Sequence, residues 1–300
     1  MHNCYISEQT NQVIWPAFIK HFKSESTMAS YQADISEFMD MVQKDFLNTA
    51  EADVQSYFEY LQKRIKEGKL QSKTGAKKLT ELHSFAAFIC ENRQEFQAPE
   101  DFDDYFYPYL KGMDKQDKYV KSVPVEHIDK ILKAAENDLT AYCIIILLYR
   151  VGLSSTEITR LTLEDFGIYD NGVFVSVHGR REMCFIPEDV YRVLIQYMEG
   201  RSENEYLFYN RSGQKLNTMY ISRLMKKYTD KANVPAYSAQ NMRNSCGTSM
   251  FAYGAAQKQV ALQLGITQTQ IKRYKNVAYR SELVRKANEL VKIRVEPPRS

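Results

Sequence analysis

The chain has 300 residues, 26% of them charged and 44% hydrophobic, with a formal net charge of +3. That length can bury the cores of two domains, and the composition is that of a globular protein rather than a disordered, fibrous or membrane-spanning one. A charge so near zero gives no whole-protein argument for nucleic acid, so any such case must rest on local patches.

Cys4, Cys90, Cys143, Cys184 and Cys246 are scattered, with no Cys-x-x-Cys pair. This spacing argues against a disulfide framework and against a zinc site, and it points to a reducing compartment, the cytoplasm. No metal or other cofactor is expected. The longest apolar run, residues 143–149, is far too short to span a bilayer. The first residues also lack the basic-then-apolar pattern of a signal peptide, so no membrane partner is expected.

Residues 24–27 offer N-cap chemistry, after which Tyr31, Ile35, Phe38 and Met39 recur at helical spacing. A second helix is expected over 53–66, with Val54, Tyr57, Phe58 and Leu61 on one face. A third, over 74–90, carries Leu79, Leu82, Phe85 and Phe88. No strand-like alternation interrupts them, so residues 1–96 read as a helical domain. The acidic stretch 97–123, with Pro99, Pro108, Glu100, Asp101, Asp103 and Asp104, reads as a linker.

The second domain, 124–300, opens with an amphipathic helix over 125–134 and a buried helix over 139–149. A helix start follows at Gly152, where Ser154-x-x-Glu157 has the form of a capping box. Val173, Val175 and Val177 alternate, and with residues 183–186 they predict a β-hairpin whose tip holds His178, Arg180 and Arg181. Helices are expected at 188–199, 217–232, 243–263 and 280–293. The fold class is therefore mainly α, in two domains, with a small antiparallel β element.

Two basic clusters stand out. Lys63, Arg64, Lys66, Lys69, Lys73, Lys77 and Lys78 fall within one helix–loop–helix of the first domain. Arg223, Lys226, Lys227 and Lys231, with Lys272, Arg273, Lys275 and Arg280, form the other. A solvated helix face accounts for such a run of charge. So does a phosphate-gripping surface, and one such surface per domain suits a clamp on double-stranded DNA with salt-dependent binding. Within 238–277, Arg243 stands at the head of a helix, where it can grip a phosphate, and Tyr274 offers a phenol that can attack one.

These features together resemble the tyrosine recombinases, the phage-integrase type of site-specific DNA recombinase, over nearly the whole chain. Residues 29–42, 49–64 and 74–89 resemble that family's helical core-binding domain. The catalytic-type domain is matched by Leu147-Leu148-Tyr149 through Gly152-Leu153, then Thr156-Glu157-Ile158, and by Met242-Arg243 with Leu264-Gly265 and Tyr274. The resemblance implies attack by the Tyr274 phenolate on a backbone phosphate, giving a 3′-phosphotyrosyl DNA intermediate. It also implies that a C-terminal helix, here residues 281–291, docks on a neighbouring subunit to form a homo-oligomer on DNA.

The chain departs from the family pattern at several catalytic positions. The first-box arginine is Ser154, the histidine three residues before Arg243 is Gln240, and the histidine after Leu264-Gly265 is Ile266. The hairpin lysine has no clear match. Arg150, one turn before Ser154, and Arg180 or Arg181 at the hairpin tip are candidate auxiliaries. An arginine is a poor proton donor, however, because its pKa exceeds about 12. Each preorganised donor lost typically costs roughly 10²–10³ in rate. The expectation is therefore a DNA-binding protein with recombination or integration chemistry reduced or lost. An active divergent recombinase using Tyr274 and Arg243 is the alternative.

Overall fold

The computed structural model describes residues 3–112 and 119–274. Lys275, Arg280 and the helix expected at 280–293 lie outside the described residues. The chain divides into two compact units, 1–117 and 118–300.

The first unit packs α1 (Trp15–Ile19), α2 (Glu25–Val42), α3 (Glu51–Lys66) and α4 (Ser72–Glu91) around an aromatic core. The three longer helices form where the apolar spacing predicts them. Ile35, Phe38 and Met39 of α2 meet Val54, Tyr57 and Leu61 of α3 and Leu79, Leu82, Phe85 and Ile89 of α4. Phe38, Phe46, Phe85 and Phe106 pair at centroid distances of 4.8–5.8 Å. Contacts of this kind add about 0.5–1.5 kcal/mol each beyond area burial. The acids Glu51 and Asp53 open α3 and Lys63, Arg64 and Lys66 close it, a polarity that complements the helix dipole.

The stretch read as a linker divides between the units. Phe102 and Phe106 are buried in the first core, whereas Val123 is buried in the second. Composition gave the acids and prolines, but these phenylalanines supply the packing.

The second unit contains α5 (Val125–Ala135) and α6 (Leu139–Ile146), which continues as a π-helical turn over Leu147–Val151, then the short α7 (Ser155–Ile158). Strands β1 (Phe166–Tyr169), β2 (Gly172–Val175) and β3 (Cys184–Ile186) form one antiparallel sheet in the order β1-β2-β3. Val173 pairs with Ile186 and Val175 with Cys184, as the hairpin reading requires, while β1 was not anticipated. Helices α8 (Glu188–Glu199) and α9 (Thr218–Lys231) follow.

The single helix expected at 243–263 is two, α10 (Ala239–Ala252) and α11 (Gln257–Leu264). Gly254, at φ 89, turns the chain between them. Ser238 caps α10 through the Asn241 amide N–H, which starts that helix before Arg243. A last short helix, α12 (Gln268–Ile271), leads into Tyr274. All five cysteines are free. No helix among the described residues is long and apolar enough to cross a membrane.

Candidate active site and nucleic-acid interface

Arg243 is buried on α10, with an exposure of 8%. Its Nη1 donates to Glu157 Oε2 at 3.2 Å and its Nη2 to the Leu264 carbonyl, while Nε is buried without a partner among the described residues. Arg180, from the hairpin tip, lies on the same carboxylate. Its Nε donates to Glu157 Oε1 at 2.6 Å and its Nη2 to Oε2 at 2.8 Å. Arg180 Nη1 donates to the Gln263 carbonyl and Cys184 Sγ, both at 2.7 Å. Glu157 also accepts from the Ser154 amide N–H at 2.6 Å, closing the capping box at the start of α7. One carboxylate thus gathers position 154, the hairpin arginine and the α10 arginine.

Burial opposes ionisation of Glu157. The Arg180 hydrogen bonds, the Ser154 amide and the charges of Arg180 and Arg243 outweigh it and hold the carboxyl below its ordinary range. Gly265 takes the left-handed conformation that ends α11. A Cβ there would lie 2.5 Å from Arg180 Nε, so the Leu-Gly turn has no side chain where the arginine crosses it.

Tyr274 is buried, and its ring lies against Gly247 of α10, where a Cβ would meet Cδ1 at 2.6 Å. Its hydroxyl donates to Asn244 Oδ1 at 3.3 Å. Gln240 Nε2 donates to the same oxygen at 2.9 Å, and Asn244 Nδ2 donates to the Lys121 carbonyl at 2.9 Å. The phenol therefore meets an oriented amide rather than a base. Burial raises its pKa, against the opposing charges of Arg243 and Arg273. Ile266, at the second histidine position, packs on a small core of Cys246, Phe251, Val260, Leu264, Ile271 and Tyr274. Burial pushes the Cys246 thiol up to about 12.

Of the auxiliaries the sequence offers, Arg150 does not join this cluster. It sits exposed on the π-helical turn and is held by Asp189 of α8 at 3.0 Å. Arg181 is exposed beside Lys258 and Gln268 along a cleft of about 460 Å³ between the hairpin tip and the α11–α12 turn. Arg180 is the cation that reaches Arg243's carboxylate. Sequence reasoning named Glu157 as a capping partner and within the catalytic-type match, but not as the carboxylate the arginines share. It placed Asn244 in the surroundings of Arg243 and Tyr274 but missed Gln263 and Cys184 as neighbours of the site, because nothing in their spacing marks them.

The basic clusters also sort differently in space. Lys78 is turned inward to Asp34 at 2.7 Å and Glu37 at 2.9 Å, and Lys77 pairs with Glu81 at 2.8 Å. Arg64 meets Glu37 at 3.9 Å, and Lys69 pairs with Glu67 at 2.9 Å. Arg64, Lys77 and Lys78 face the α2 acids Asp34 and Glu37, Lys77 also pairs along α4 with Glu81, and Lys69 pairs with Glu67 at the end of α3. Lys63, Lys66 and Lys73 are exposed and form no ion pair with a described residue. In the second unit Arg223, Lys226, Lys272 and Arg273 are exposed, while Lys227 lies 3.6 Å from Asp138 and over the Tyr228 ring.

Residues 18–92 match the family model of the phage integrase N-terminal SAM-like domain, and residues 121–280 match that of the phage integrase family. The chain is 26% identical over 260 residues to the tyrosine recombinase XerD of Staphylococcus epidermidis, covering 81% of this chain and 84% of that protein. It is 24% identical over 258 residues to XerC of Staphylococcus aureus, covering 81% and 82%. The fold is similar to that of the Tn1549 transposon integrase in complex with circular intermediate DNA, with TM-score 0.69, 16% identity, and 93% and 98% of the two chains covered. It is equally similar to a lambda integrase dimer bound to a core site, with TM-score 0.69, 13% identity, and 89% and 94% covered. With the integrase model spanning more than half the chain, the chain belongs to the phage integrase family of tyrosine recombinases.

Proposed function

We propose that this protein binds double-stranded DNA through a core-binding domain at residues 1–96 and a catalytic-type domain at 124–300, with strand cleavage reduced or lost. The observation that carries the second half is the state of the donors around Glu157. Arg243 and Arg180 turn their forks onto that carboxylate and onto backbone carbonyls. The chemistry needs donors aimed at oxygens where charge builds and a group that can hand a proton to the leaving oxygen. Ser154, Gln240 and Ile266 supply neither a second fork nor a titrating imidazole.

DNA binding is supported by the family and by neighbours in the fold that are themselves DNA complexes. The free cations Lys63, Lys66, Lys73, Arg223 and Lys226 supply the charge. The cytoplasm is the compartment that this reading requires. A duplex nicked beside the binding site traps any covalent intermediate. The expected result is retention of the duplex at low salt with no protein–DNA adduct above the level of Tyr274→Phe. An adduct that disappears in Tyr274→Phe overturns the loss of cleavage. Absence of binding at low salt overturns the DNA reading itself, leaving a protein-interaction role.

An active divergent recombinase has one observation in its favour. Burial raises the Tyr274 pKa overall, but the charges of Arg243 and Arg273 act against it, in the direction that favours phenolate.

A further inference from the structure

We propose that Arg180 is a positioning residue that reaches from the hairpin to the side of Glu157 that position 154 faces, and that it thereby fixes the guanidinium of Arg243. The proposal rests on the family reading only for the expectation of an arginine at position 154. The contacts are those of this chain.

Position 154 is bound to Glu157 from both ends of the capping box, since the Ser154 amide donates to Oε2 and Ser154 Oγ accepts from the Glu157 amide. The serine side chain stops there. It leaves the outer oxygen, Oε1, to Arg180 Nε, the sole donor to that oxygen among the described residues. Oε2 takes both Arg180 Nη2 and Arg243 Nη1, so the two guanidinium groups share one acceptor atom.

They also share a second support. Arg180 Nη1 holds the Gln263 carbonyl and Arg243 Nη2 holds the next one, that of Leu264, at the C-terminal end of α11. Cations at that end complement the helix dipole and the carbonyls the helix leaves unpaired. Gly265 is what lets Arg180 lie across the turn. Four of its five N–H groups are engaged, one on Nε, one on Nη2 and two on Nη1. So anchored, Arg180 orients its neighbours and is not placed to pass a proton.

An arginine at 154 and another at 180 would compete for one carboxylate. The serine and the hairpin arginine are therefore two halves of one rearrangement, which keeps two guanidinium groups on Glu157 while drawing the second from a different element. A half-buried carboxylate facing two fixed arginines leaves one net positive charge at the site.

The test uses the full chain without DNA, so its failure and failure of the DNA reading are read separately. The probe is the Nε–H resonance of Arg243 in a ¹⁵N spectrum, assigned by its disappearance in Arg243→Lys. In Arg180→Ala, Glu157 loses the donors that hold its carboxylate against Arg243, and the Arg243 Nε–H exchanges with solvent about tenfold faster or more. Arg180→Lys, which keeps the charge but not the fork, leaves it fast. Ser154→Arg in the Arg180→Ala background restores slow exchange. Unchanged exchange in Arg180→Ala, or no recovery with Ser154→Arg, overturns the proposal. Should Arg180→Ala not fold, Ser154→Arg in the otherwise unchanged chain is the second arm. The added arginine then displaces Arg180 and speeds exchange at the Arg180 Nε–H, and a spectrum without that change overturns the proposal equally.

Discussion

Each unit buries a cluster of opposite charges, and the two clusters have opposite balances. In the first, the acids Asp34, Glu37 and Glu81 surround Lys77 and Lys78, with Asp34 and Glu81 themselves buried. In the second, a single carboxylate, Glu157, serves Arg180 and Arg243. Lysine is a point charge on a flexible stem that several acids can share, so the first cluster is redundant. Arginine's planar fork fixes direction as well as charge, so the second is not. Surplus acid engages Lys77 and Lys78 within the first unit, whereas surplus guanidinium preserves positive potential at the site.

The largest test of this difference is removal of one acid from each cluster. Glu157→Ala leaves two buried guanidinium groups without their carboxylate and is expected to cost about 3–5 kcal/mol, as removal of one member of a buried ion pair does. Glu81→Gln keeps a hydrogen-bonding group beside Lys77 and leaves Asp34 and Glu37 in place, so it is expected to cost about 1 kcal/mol or less. Denaturant unfolding followed by a reporter in each unit compares the two. Equal losses would break the contrast between a redundant and a single-acid cluster.

Acidity separates the clusters by sign. Glu157 is held below its ordinary value of 4.5, so its contribution is complete above that pH and is lost as pH falls through the lowered value. Glu81 is raised above 4.5, chiefly by burial and also by Asp34. Stability from that shift is present when the group is protonated and fades as pH rises through the raised value. Mild acidification from neutrality should therefore firm the first cluster before stronger acidification loosens the second. Amide exchange in α2 and α4 against α7 and α10 reads this directly, and Glu157→Gln should remove the loss at low pH.

Helix positions in the first unit were legible because Ile35, Phe38, Leu82 and Phe85 repeat with the helical period. Arg243 and Tyr274 were legible because order and spacing along the chain carry them. The role of Arg180 was not, since its partner Glu157 lies 23 residues away and is reached only when the hairpin folds back on α7 and α11. The ion pairs of Lys77 and Lys78 were not legible for a related reason. Periodicity marks which face of α4 is apolar but does not show that α2 turns Asp34 and Glu37 toward Lys78. The split of residues 243–263 into α10 and α11 was signalled by Gly254, which an apolar period alone passes over.

A smaller effect sharpens the contrast at the surface. Lys73 is exposed and free of ion pairs to described residues, whereas Lys77 is tied to Glu81. Lys73→Gln should weaken duplex binding and reduce the slope of log affinity against log salt by about 1, while Lys77→Gln leaves the slope unchanged. Equal slopes for the two variants would return Lys77 to the phosphate-binding surface and undo its assignment to an internal network.

The smallest expected effect concerns the neutral hydrogen bond beside the arginine cluster. Tyr274→Phe removes the hydroxyl that donates to Asn244 Oδ1 at 3.3 Å. That oxygen still accepts from Gln240, and Asn244 Nδ2 still donates to Lys121, so no buried polar group is left without a partner. The ring keeps its seat on Gly247. The loss should be about 0.5–1 kcal/mol, near the lower range for one hydrogen bond, and a double-mutant cycle with Asn244→Ala should place it in that pair. A loss several times larger would mean that the phenol is tied to the charged cluster itself, and the division between an ionic site at Glu157 and a neutral amide seat for Tyr274 would not stand.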